Sequence, residues 1–395
     1  MNNVQVETSA VPYWITSLLA IACGVIVANL YYAQPLVGPI SLATQLPPSL
    51  AGLIVTLTQI GYVAGLIFLV PLCDLLENRQ LVVSTLGIVI FALVAAAFTH
   101  NSLCFLAAAM FIGLGSVATQ MLVPYAAHLA TEQQRGQVVG NVMSGLLLGI
   151  MLARPIASFV TDLWGWQAIF LLSAAITATL AVVLAFVLPK RSPAPSVSYS
   201  GLIQSLFSLF KTKAILRRRA FYQACLFGSF SLFWTVSPLW LAEHFQLSQQ
   251  GIAWFALAGV AGAIAAPIAG RLADKGLTKP LTGAAILLAA LSFLLTLLFD
   301  HSAASLAMFV LAAITLDMAV SGNLVLGQRA IYALGNEIRG RVNGVFMAVF
   351  FIGGAAGSAL GGWAYAYGGW LTASVLGISM PLVALLYYFT EAKHD

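Results

Sequence analysis

The two halves of this chain repeat each other. Residues 135–158 read RGQVVGNVMSGLLLGIMLARPIAS, and residues 339–362 read RGRVNGVFMAVFFIGGAAGSALGG. The two segments are 204 residues apart, and at this constant offset six residues of the first copy recur: Arg135, Gly136, Val138, Gly140, Met143 and Gly149. The same offset relates Gly165 and Trp166 to Gly369 and Trp370. Two copies of one unit predict two similar halves that face each other, with a substrate site between them.

The chain is dominated by long apolar segments. Apolar residues make up 61% of its 395 residues and charged residues only 7%. Segments of ~20 apolar residues, the length that crosses a bilayer, follow one another closely. Twelve are predicted, at about 12–35, 49–70, 81–99, 102–130, 138–160, 166–188, 220–242, 250–270, 281–299, 302–330, 342–362 and 368–390. We therefore expect an all-α membrane protein with twelve transmembrane helices in two pseudo-symmetric six-helix bundles.

A polar linker divides the predicted bundles. Residues 189–219 are rich in Pro, Ser and basic residues, which interrupt the apolar pattern. The predicted domains are residues 1–188 and 220–395. Within the linker, residues 201–210 are predicted to form a short amphipathic helix on the inner membrane surface. Residues 217–219, three consecutive arginines, are expected to meet anionic head groups there, and a simple charged loop is the alternative.

The distribution of positive charge indicates the orientation. An internal amino terminus puts sixteen of the seventeen Lys and Arg residues on the cytoplasmic side, and the exception, Arg154, lies within a helix. The predicted location is the cell membrane, in many passes and with both termini cytoplasmic, and it is the inner membrane in a Gram-negative cell. The net charge of +5 reflects this inner face, so no nucleic-acid partner is expected.

The chain shows no motif of an enzyme or of a nucleotide site. It lacks G-x-S-x-G, H-E-x-x-H and GxxxxGK[ST]. Its five histidines and four cysteines show no metal-ligand spacing. We therefore expect no catalytic residues, no metal and no cofactor. The expected partners are a small-molecule substrate, protons and the lipid bilayer, and the chain is expected to act as a monomer.

The segment GRLADKG, from Gly270 to Gly276, resembles the loop signature of the major facilitator superfamily. In the first half, PLCDLLENRQ keeps Asp74 and Arg79 but departs from the glycine pattern. With two six-helix halves and a basic central loop, the resemblance covers essentially the whole chain. It implies the major facilitator fold, in which these loops brace one state of the carrier. The gating residues that it implies are Asp74, Arg79, Gly270, Arg271 and Asp274.

The fifth predicted helix resembles that of proton-coupled drug and small-molecule exporters, whose motif is Gly-x-x-x-Gly-Pro-x-x-Gly-Gly. This chain has Gly149, Ala153, Arg154, Pro155 and Ser158 there, and Arg154 and Ser158 are departures. Gly149 and Pro155 are expected to belong to a contact at which the halves rock, with static close packing as the alternative. The stretch NLYYAQPL, residues 29–36, is similar to a bacterial subgroup of efflux carriers.

Two charged residues lie deep within predicted helices. Burying a charge in lipid costs about 2.5–3.5 kcal/mol on insertion scales. This cost indicates that Asp317 and Arg154 have a function or a specific partner. Desolvation favours the protonated form of Asp317, which suits proton coupling, and a packing role is the alternative. Arg154 is expected to bind an anionic substrate or to pair with the carboxylate of Asp317. Alternatively it reaches the surface or pairs with Asp162, a second candidate for proton coupling near the outer end of the fifth helix.

Polar and aromatic residues in the predicted helices are candidates for substrate binding. Aromatic rings combined with hydrogen-bonding groups suit a pocket for small amphipathic molecules. Besides Arg154, the candidates are Asn29, Tyr31, Tyr32, Gln34, Gln59, Gln120, Asn323 and Gln328. The first four also fit an interfacial belt, and the other amides also fit helix-to-helix contacts. Trp234 and Trp240 are interpreted as packing or belt residues.

Three functions compete on this evidence. The first is a proton-coupled exporter, an antiporter of small organic molecules that works by alternating access. The second is a proton-coupled importer of a small organic anion, with Arg154 as the anchor. The third is a membrane receptor or embedded enzyme, which the lack of a soluble domain and of catalytic motifs argues against.

Overall fold

The computed structural model describes residues 12–131, 133–193, 198–298 and 303–391. Both chain termini, residue 132, residues 194–197 of the linker and residues 299–302 lie outside these ranges. The described residues fold into α-helices joined by short turns, without strands. The helices are α1 Tyr13–Ala28, α2 Val37–Thr44, α3 Leu53–Ala64, α4 Asn78–Phe98, α5 Ser102–Ser116, α6 Ala118–Leu129, α7 Arg135–Trp164, α8 Trp166–Val187, α9 Tyr199–Thr212, α10 Ala214–His244, α11 Gln249–Val260, α12 Ala265–Asp274, α13 Thr278–Leu295, α14 Ala303–Tyr332 and α15 Arg339–Phe389.

The helical segments match the predicted spans in order. Ten described stretches are long and apolar enough to cross a membrane, and α1 is a shorter apolar helix. Helix α15 has 51 residues, and its backbone leaves the helical conformation at Gly368 and Gly369, so it contains two of the predicted spans. We call α1–α8 the first half and α10–α15 the second half.

The repeated glycine–tryptophan pair marks the same corner in both halves. Gly165, between α7 and α8, has φ +84°, and Gly369, within α15, has φ +61°. A residue with a side chain is strained in this left-handed region, so glycine serves both corners. Trp166 and Trp370 follow these corners, and both are buried. The sequence repeat is therefore also a repeat of backbone conformation.

The first span is interrupted, contrary to the continuous helix expected at 12–35. Helix α1 ends at Ala28, turns follow, and a 3-10 turn at Gln34–Leu36 leads into α2. Pro35 lies in this turn and cannot donate a backbone hydrogen bond. Gln34–Leu36 packs against both α7 and α10, so the interruption lies where the two halves meet.

Basic residues mark one end of the bundle, which we call the basic face. Helices α4, α7, α10 and α15 begin there, near Arg79, Arg135, Arg217 and Arg339. Helices α7, α10 and α15 begin three to six residues before the predicted spans because these polar first turns continue the helices. The other end, where Asp162 accepts a hydrogen bond from the backbone N–H of Gln250 at 3.3 Å, is the opposite face.

At the basic face, Arg218 and Arg219 bind the end of the chain. The Arg219 guanidinium pairs with the Glu391 carboxylate at 3.0 Å and donates to Thr282 at 2.8 Å. Tyr222 donates to Glu391 at 3.1 Å, and Arg218 donates to the Tyr387 carbonyl at 2.9 Å. We call Arg219, Tyr222 and Glu391 the carboxyl-terminal cluster. The expected head-group role therefore does not describe Arg218 and Arg219, whose partners are within the protein.

Closely packed glycines lie within each half. A Cβ added at Gly149 would fall 2.1 Å from the carbonyl oxygen of Gly24 in α1, and one at Gly353 would fall 2.2 Å from that of Ala224 in α10. These two glycines correspond in the repeat, and each packs its helix against the first helix of its own half. The expectation that Gly149 lies in a contact between the halves is wrong, because the close approach joins α1 to α7.

Contacts between the halves involve α3 with α15 and α7 with α11. The Thr56 and Ser358 hydroxyls are 2.8 Å apart, and Gln59 donates to the Ser231 hydroxyl at 2.9 Å. At Gly52, an added Cβ would fall 2.1 Å from the Ser358 carbonyl oxygen. We call Gly52, Thr56, Ser358 and Gly362 the opposite-face contact.

Candidate functional site

A buried ion pair joins the two halves. Arg154 on α7 and Asp317 on α14 approach to 3.4 Å, from Nη2 to Oδ2, and their side chains are only 3% and 7% exposed. Both predicted buried charges therefore meet each other. A buried pair is strongly sensitive to the loss of either partner, because the remaining charge is left uncompensated. We call Arg154 and Asp317 the central pair.

Trp234 on α10 contacts both members of the central pair. Its indole Nε1–H donates to Asp317 Oδ1 at 2.8 Å. The Arg154 guanidinium carbon lies 3.9 Å from the centre of the Trp234 ring and 5.1 Å from that of Phe230, distances of cation–π contact. The interpretation of Trp234 as a packing or belt residue is wrong, because it hydrogen-bonds the buried acid and covers the buried base.

Two glycines let α11 and the following turn approach Asp317. A Cβ at Gly259 would fall 2.8 Å from Asp317 Oδ2, and one at Gly262 would fall 2.4 Å from the Asp317 Cβ. On the sequence alone neither Gly259 nor Gly262 is a candidate site residue, and Trp234 is interpreted only as a packing or belt residue. The only signal for the two glycines is their spacing on one face of an apolar segment.

The central pair leaves polar atoms without partners. Among the described residues, Nε and Nη1 of Arg154 have no hydrogen-bond acceptor, and the Ser158 hydroxyl has no partner. Gln34 is completely buried, and neither atom of its amide is bonded within the described ranges. An unbonded buried polar atom costs about 1–3 kcal/mol, so these groups favour a hydrogen-bonding ligand. Arg154 and Gln34 are thus the strongest of the predicted binding residues.

Two more predicted residues lie near this site. The buried Tyr31 is close enough to interact electrostatically with both Arg154 and Asp317. Gln59 bridges the halves through Ser231, and its own carbonyl oxygen has no partner among the described residues. Tyr31 and Arg154 therefore lie near Asp317, and the turn that carries Gln34 packs against α7 and α10, which carry Arg154 and Trp234. Gln59 lies at a contact between the halves.

The other five predicted binding residues are not gathered at the central pair. Tyr32 lines a lateral groove between α1 and α7. The remaining four bond within their own half: Asn29 with Ser173 at 2.7 Å, Gln120 with Tyr62 at 3.0 Å, Asn323 with Gln223 at 2.7 Å and Gln328 with Asn343 at 3.2 Å. For these four, helix-to-helix hydrogen bonding accounts for the polar side chain.

Asp162 lies away from the central pair, at the opposite face. It is exposed and accepts the backbone N–H of Gln250. The alternative that Arg154 pairs with Asp162, eight residues further along α7, is wrong, because the guanidinium pairs with Asp317 across the halves. Nor does Arg154 reach the surface, since the residue is only 2% exposed.

The predicted gating residues lie at the basic face. Asp274, at the end of α12, forms an ion pair with Arg329 of α14, a residue that the loop signature does not include. Arg79 donates to the Leu188 carbonyl at 3.2 Å. Asp74 ends the 3-10 turn Val70–Asp74, and it is Glu77 that caps α4 by accepting the N–H groups of Arg79 and Gln80.

Gly270 and Pro155 lie within helices. Gly270 lies on α12, where an added Cβ would contact only a side-chain carbon of Val325 on α14, at 3.6 Å. Pro155 is buried beside Arg154 within α7, and α7 continues past it as one helix.

Two helical halves with a buried ion pair between them define the fold class of a secondary transporter. The family model of the Major Facilitator Superfamily matches residues 18–332 and 220–395. The chain belongs to this superfamily, has its fold and is a multi-pass membrane transporter of the secondary type.

Relatives in two bacteria are similar over most of their length. The chain is 39% identical over 373 residues to the "Uncharacterized transporter YgaY" of Escherichia coli O157:H7, covering 94% of each chain. It is 31% identical over 359 residues to the "Probable transporter SCO4007" of Streptomyces coelicolor, covering 89% of this chain and 82% of that protein. Among solved structures, a D-xylose-proton symporter matches with a TM-score of 0.75 at 17% identity, over 96% of this chain and 98% of that one.

Proposed function

We propose that this chain is a proton-coupled exporter of small organic molecules that works by alternating access. The observation that carries the proposal is the central pair, a carboxylate and a guanidinium buried between the two halves. Asp317 binds the coupling proton, and the groups around Arg154 bind the substrate. The remaining predicted binding residues support the helices that hold this site.

The coupling follows from the charge of the site. With Asp317 ionised, the central pair is neutral overall and draws α7 and α14 together across the halves. Protonation removes the negative charge and leaves Arg154 without its counter-charge, so it changes the balance between arrangements of the halves. A ligand shifts such a balance only through a difference in its interaction with the two states. Protonation of Asp317 removes the counter-charge of Arg154, and the substrate binds at Arg154. Both ligands therefore interact differently with the two arrangements of the halves.

The direction and orientation rest on the sequence. The partial resemblance of α7 around Pro155 to the exporter motif supports export. The positive-inside rule supports a cytoplasmic location for the basic face, and hence for both termini. Residues of the basic face are the proposed gating residues, and the ion pair of Asp274 with Arg329 is proposed to brace one state of the carrier.

A second candidate, the proton-coupled import of a small organic anion, is favoured by one observation. Arg154 has two nitrogens without partners among the described residues, and protonation of Asp317 leaves its charge uncompensated. An anion entering with the proton restores neutrality in a buried site, where an unpaired charge is costly. Proton and anion would then move together, whereas an exporter moves them in opposite directions.

Vesicle orientation separates the two candidates. A sensitivity screen of a deletion strain supplies the solute. Its uptake is then measured in right-side-out and everted membrane vesicles with an imposed pH gradient. The acidic side is the one that faces outward in the cell, which is the medium of right-side-out vesicles and the lumen of everted vesicles. Proton-driven accumulation in everted vesicles only supports export, and accumulation in right-side-out vesicles only supports import. Transport that ignores the pH gradient in both preparations contradicts proton coupling.

A further inference from the structure

We propose that Arg154, Ser158 and Gln34 form a subsite for the carboxylate of a small organic monoanion. The inference rests on the proposed function, since it names the substrate class for the same site. It fits the second candidate function, in which the anion binds while Asp317 is protonated.

Arg154 and Ser158 present polar groups from one side of α7. They are four residues apart, so their side chains are neighbours on the helix surface. Arg154 is 2% exposed and Ser158 is completely buried, and both carry polar atoms without partners among the described residues. Aligned on Pro155, they stand at two of the four glycine positions of the exporter motif. The departures from the motif therefore place a cation and a hydroxyl together in one buried region.

Gln34 adds an amide from the first span. The 3-10 turn Gln34–Leu36 packs against α7, which carries Arg154 and Ser158, and against α10, which carries Trp234. Interrupted membrane helices near the contact between repeats are typical of transporter binding sites. A carboxylate accepts hydrogen bonds from a guanidinium, a hydroxyl and an amide N–H together, which are the donors of these three residues.

The charge of the site selects a monoanion. Asp317 occupies only Nη2 of Arg154, so Nε and Nη1 are the free donors. One guanidinium compensates one negative charge when Asp317 is protonated. A cation would be repelled by Arg154, and a dianion would leave a buried charge unpaired. The aromatic rings of Trp234 and Phe230 beside the guanidinium suit an apolar body on the carboxylate.

The test measures binding in detergent, where no proton gradient exists. The full chain is purified, and its thermal unfolding is followed with benzoate and with benzamide, a neutral molecule of nearly the same shape. Benzoate is expected to raise the melting temperature saturably, and benzamide is not. Ser158→Ala and Gln34→Leu should each raise the half-saturating benzoate concentration roughly tenfold, as for the loss of one hydrogen bond to a charged group.

Two controls keep the result specific. Ser144→Ala alters an exposed serine on the same helix, whose hydroxyl donates to the Gly140 carbonyl, and should leave benzoate binding unchanged. The double variant Arg154→Gln/Asp317→Asn removes both buried charges at once, so it avoids an unpaired charge, and it should lose the benzoate effect. Equal stabilisation by benzamide, no stabilisation by benzoate, or benzoate binding that survives in the double variant overturns the proposal. Loss of proton coupling in vesicles with intact benzoate binding contradicts only the proposed function.

Discussion

The Arg154 guanidinium and the Asp317 carboxylate lie 3.4 Å apart, and they come from different halves of the molecule. Motion of one half against the other changes this distance, and so does any change in the protonation of Asp317. Trp234 strengthens the link, because it bonds the acid through its N–H and packs its ring on the base. Conformation and protonation therefore act on one pair of atoms, which is the requirement for coupling the two.

Replacing Asp317 by Asn should abolish accumulation of substrate against its gradient. The amide has nearly the shape of the acid but cannot exchange a proton, so downhill exchange of the substrate should survive. The measurement is uptake in proteoliposomes, with and without an imposed pH gradient. Accumulation at the wild-type level would assign the proton to another group.

Asp162→Asn is the matched control for that experiment. Asp162 is exposed at the opposite face and accepts one backbone N–H, which an amide oxygen also accepts. Proton-driven accumulation should therefore remain near the wild-type level. A loss of coupling in Asp162→Asn but not in Asp317→Asn would reverse the two assignments.

Arg154→Lys should reduce the rate of transport at least about tenfold. Lysine keeps the charge but loses the planar group that stacks on Trp234 and presents several donors at once. Initial uptake rates and melting temperatures, measured together, separate a lost function from a lost fold. A variant with wild-type rates would show that the charge alone is sufficient.

The sequence allowed the general plan of the molecule to be predicted. Apolar segments of bilayer length identify the helices because lipid requires backbone groups to be satisfied within each helix. Arg154 and Asp317 stood out because a buried charge is costly without a partner. The repeat identified Gly165 and Gly369 as equivalent positions, and the structure gives both the same left-handed backbone.

Pairings between distant helices could not be predicted in the same way. Trp234 had two reasonable interpretations, since an indole also suits an apolar interface, and only the packing of α10 against α14 decided between them. Asp274 was identified as a gating residue from a loop signature, whereas its ion-pair partner Arg329 comes from another helix. Gly149 was assigned to the wrong contact because a glycine in a helix indicates a close neighbour but not which helix that neighbour belongs to.

Breaking the ion pair of Asp274 and Arg329 should have little effect on stability. Both side chains are about half exposed, and exposed pairs contribute roughly 0–1 kcal/mol. Asp274→Asn should nevertheless slow transport while leaving substrate affinity largely unchanged, if the pair braces one state of the carrier. Turnover of Asp274→Asn, Arg329→Gln and the double variant gives the coupling between them, and independent effects would contradict the brace.

Glu391→Gln should lower the free energy of unfolding by about 1.5–3 kcal/mol. Its carboxylate accepts from Arg219 at 3.0 Å and from Tyr222 at 3.1 Å, and hydrogen bonds to charged groups contribute in this range. Unfolding in detergent measures the effect. Glu337→Gln, at an exposed acid before α15, is the control and should change stability much less.

Gly52→Ala should weaken the contact between the halves at the opposite face. The added Cβ would fall 2.1 Å from the Ser358 carbonyl oxygen, so α3 and α15 must move apart. A buried clash of this kind typically costs about 1–3 kcal/mol, enough to shift the balance between arrangements of the halves by a factor of roughly ten. Since Ser358 is completely buried, Ser358→Cys gives a thiol that reports on this separation.

The measurement is the rate of maleimide labelling of Ser358→Cys in detergent, in a chain whose four native cysteines are replaced by serine. Labelling should be faster with Gly52→Ala than without it. Gly87→Ala is the control, because an added Cβ on that exposed side of α4 meets no atom within 4 Å. If alternating access opens this contact, Gly52→Ala should also change the transport rate, while Gly87→Ala should not. Unchanged labelling together with unchanged transport in Gly52→Ala would show that the halves do not separate at Gly52 and Ser358.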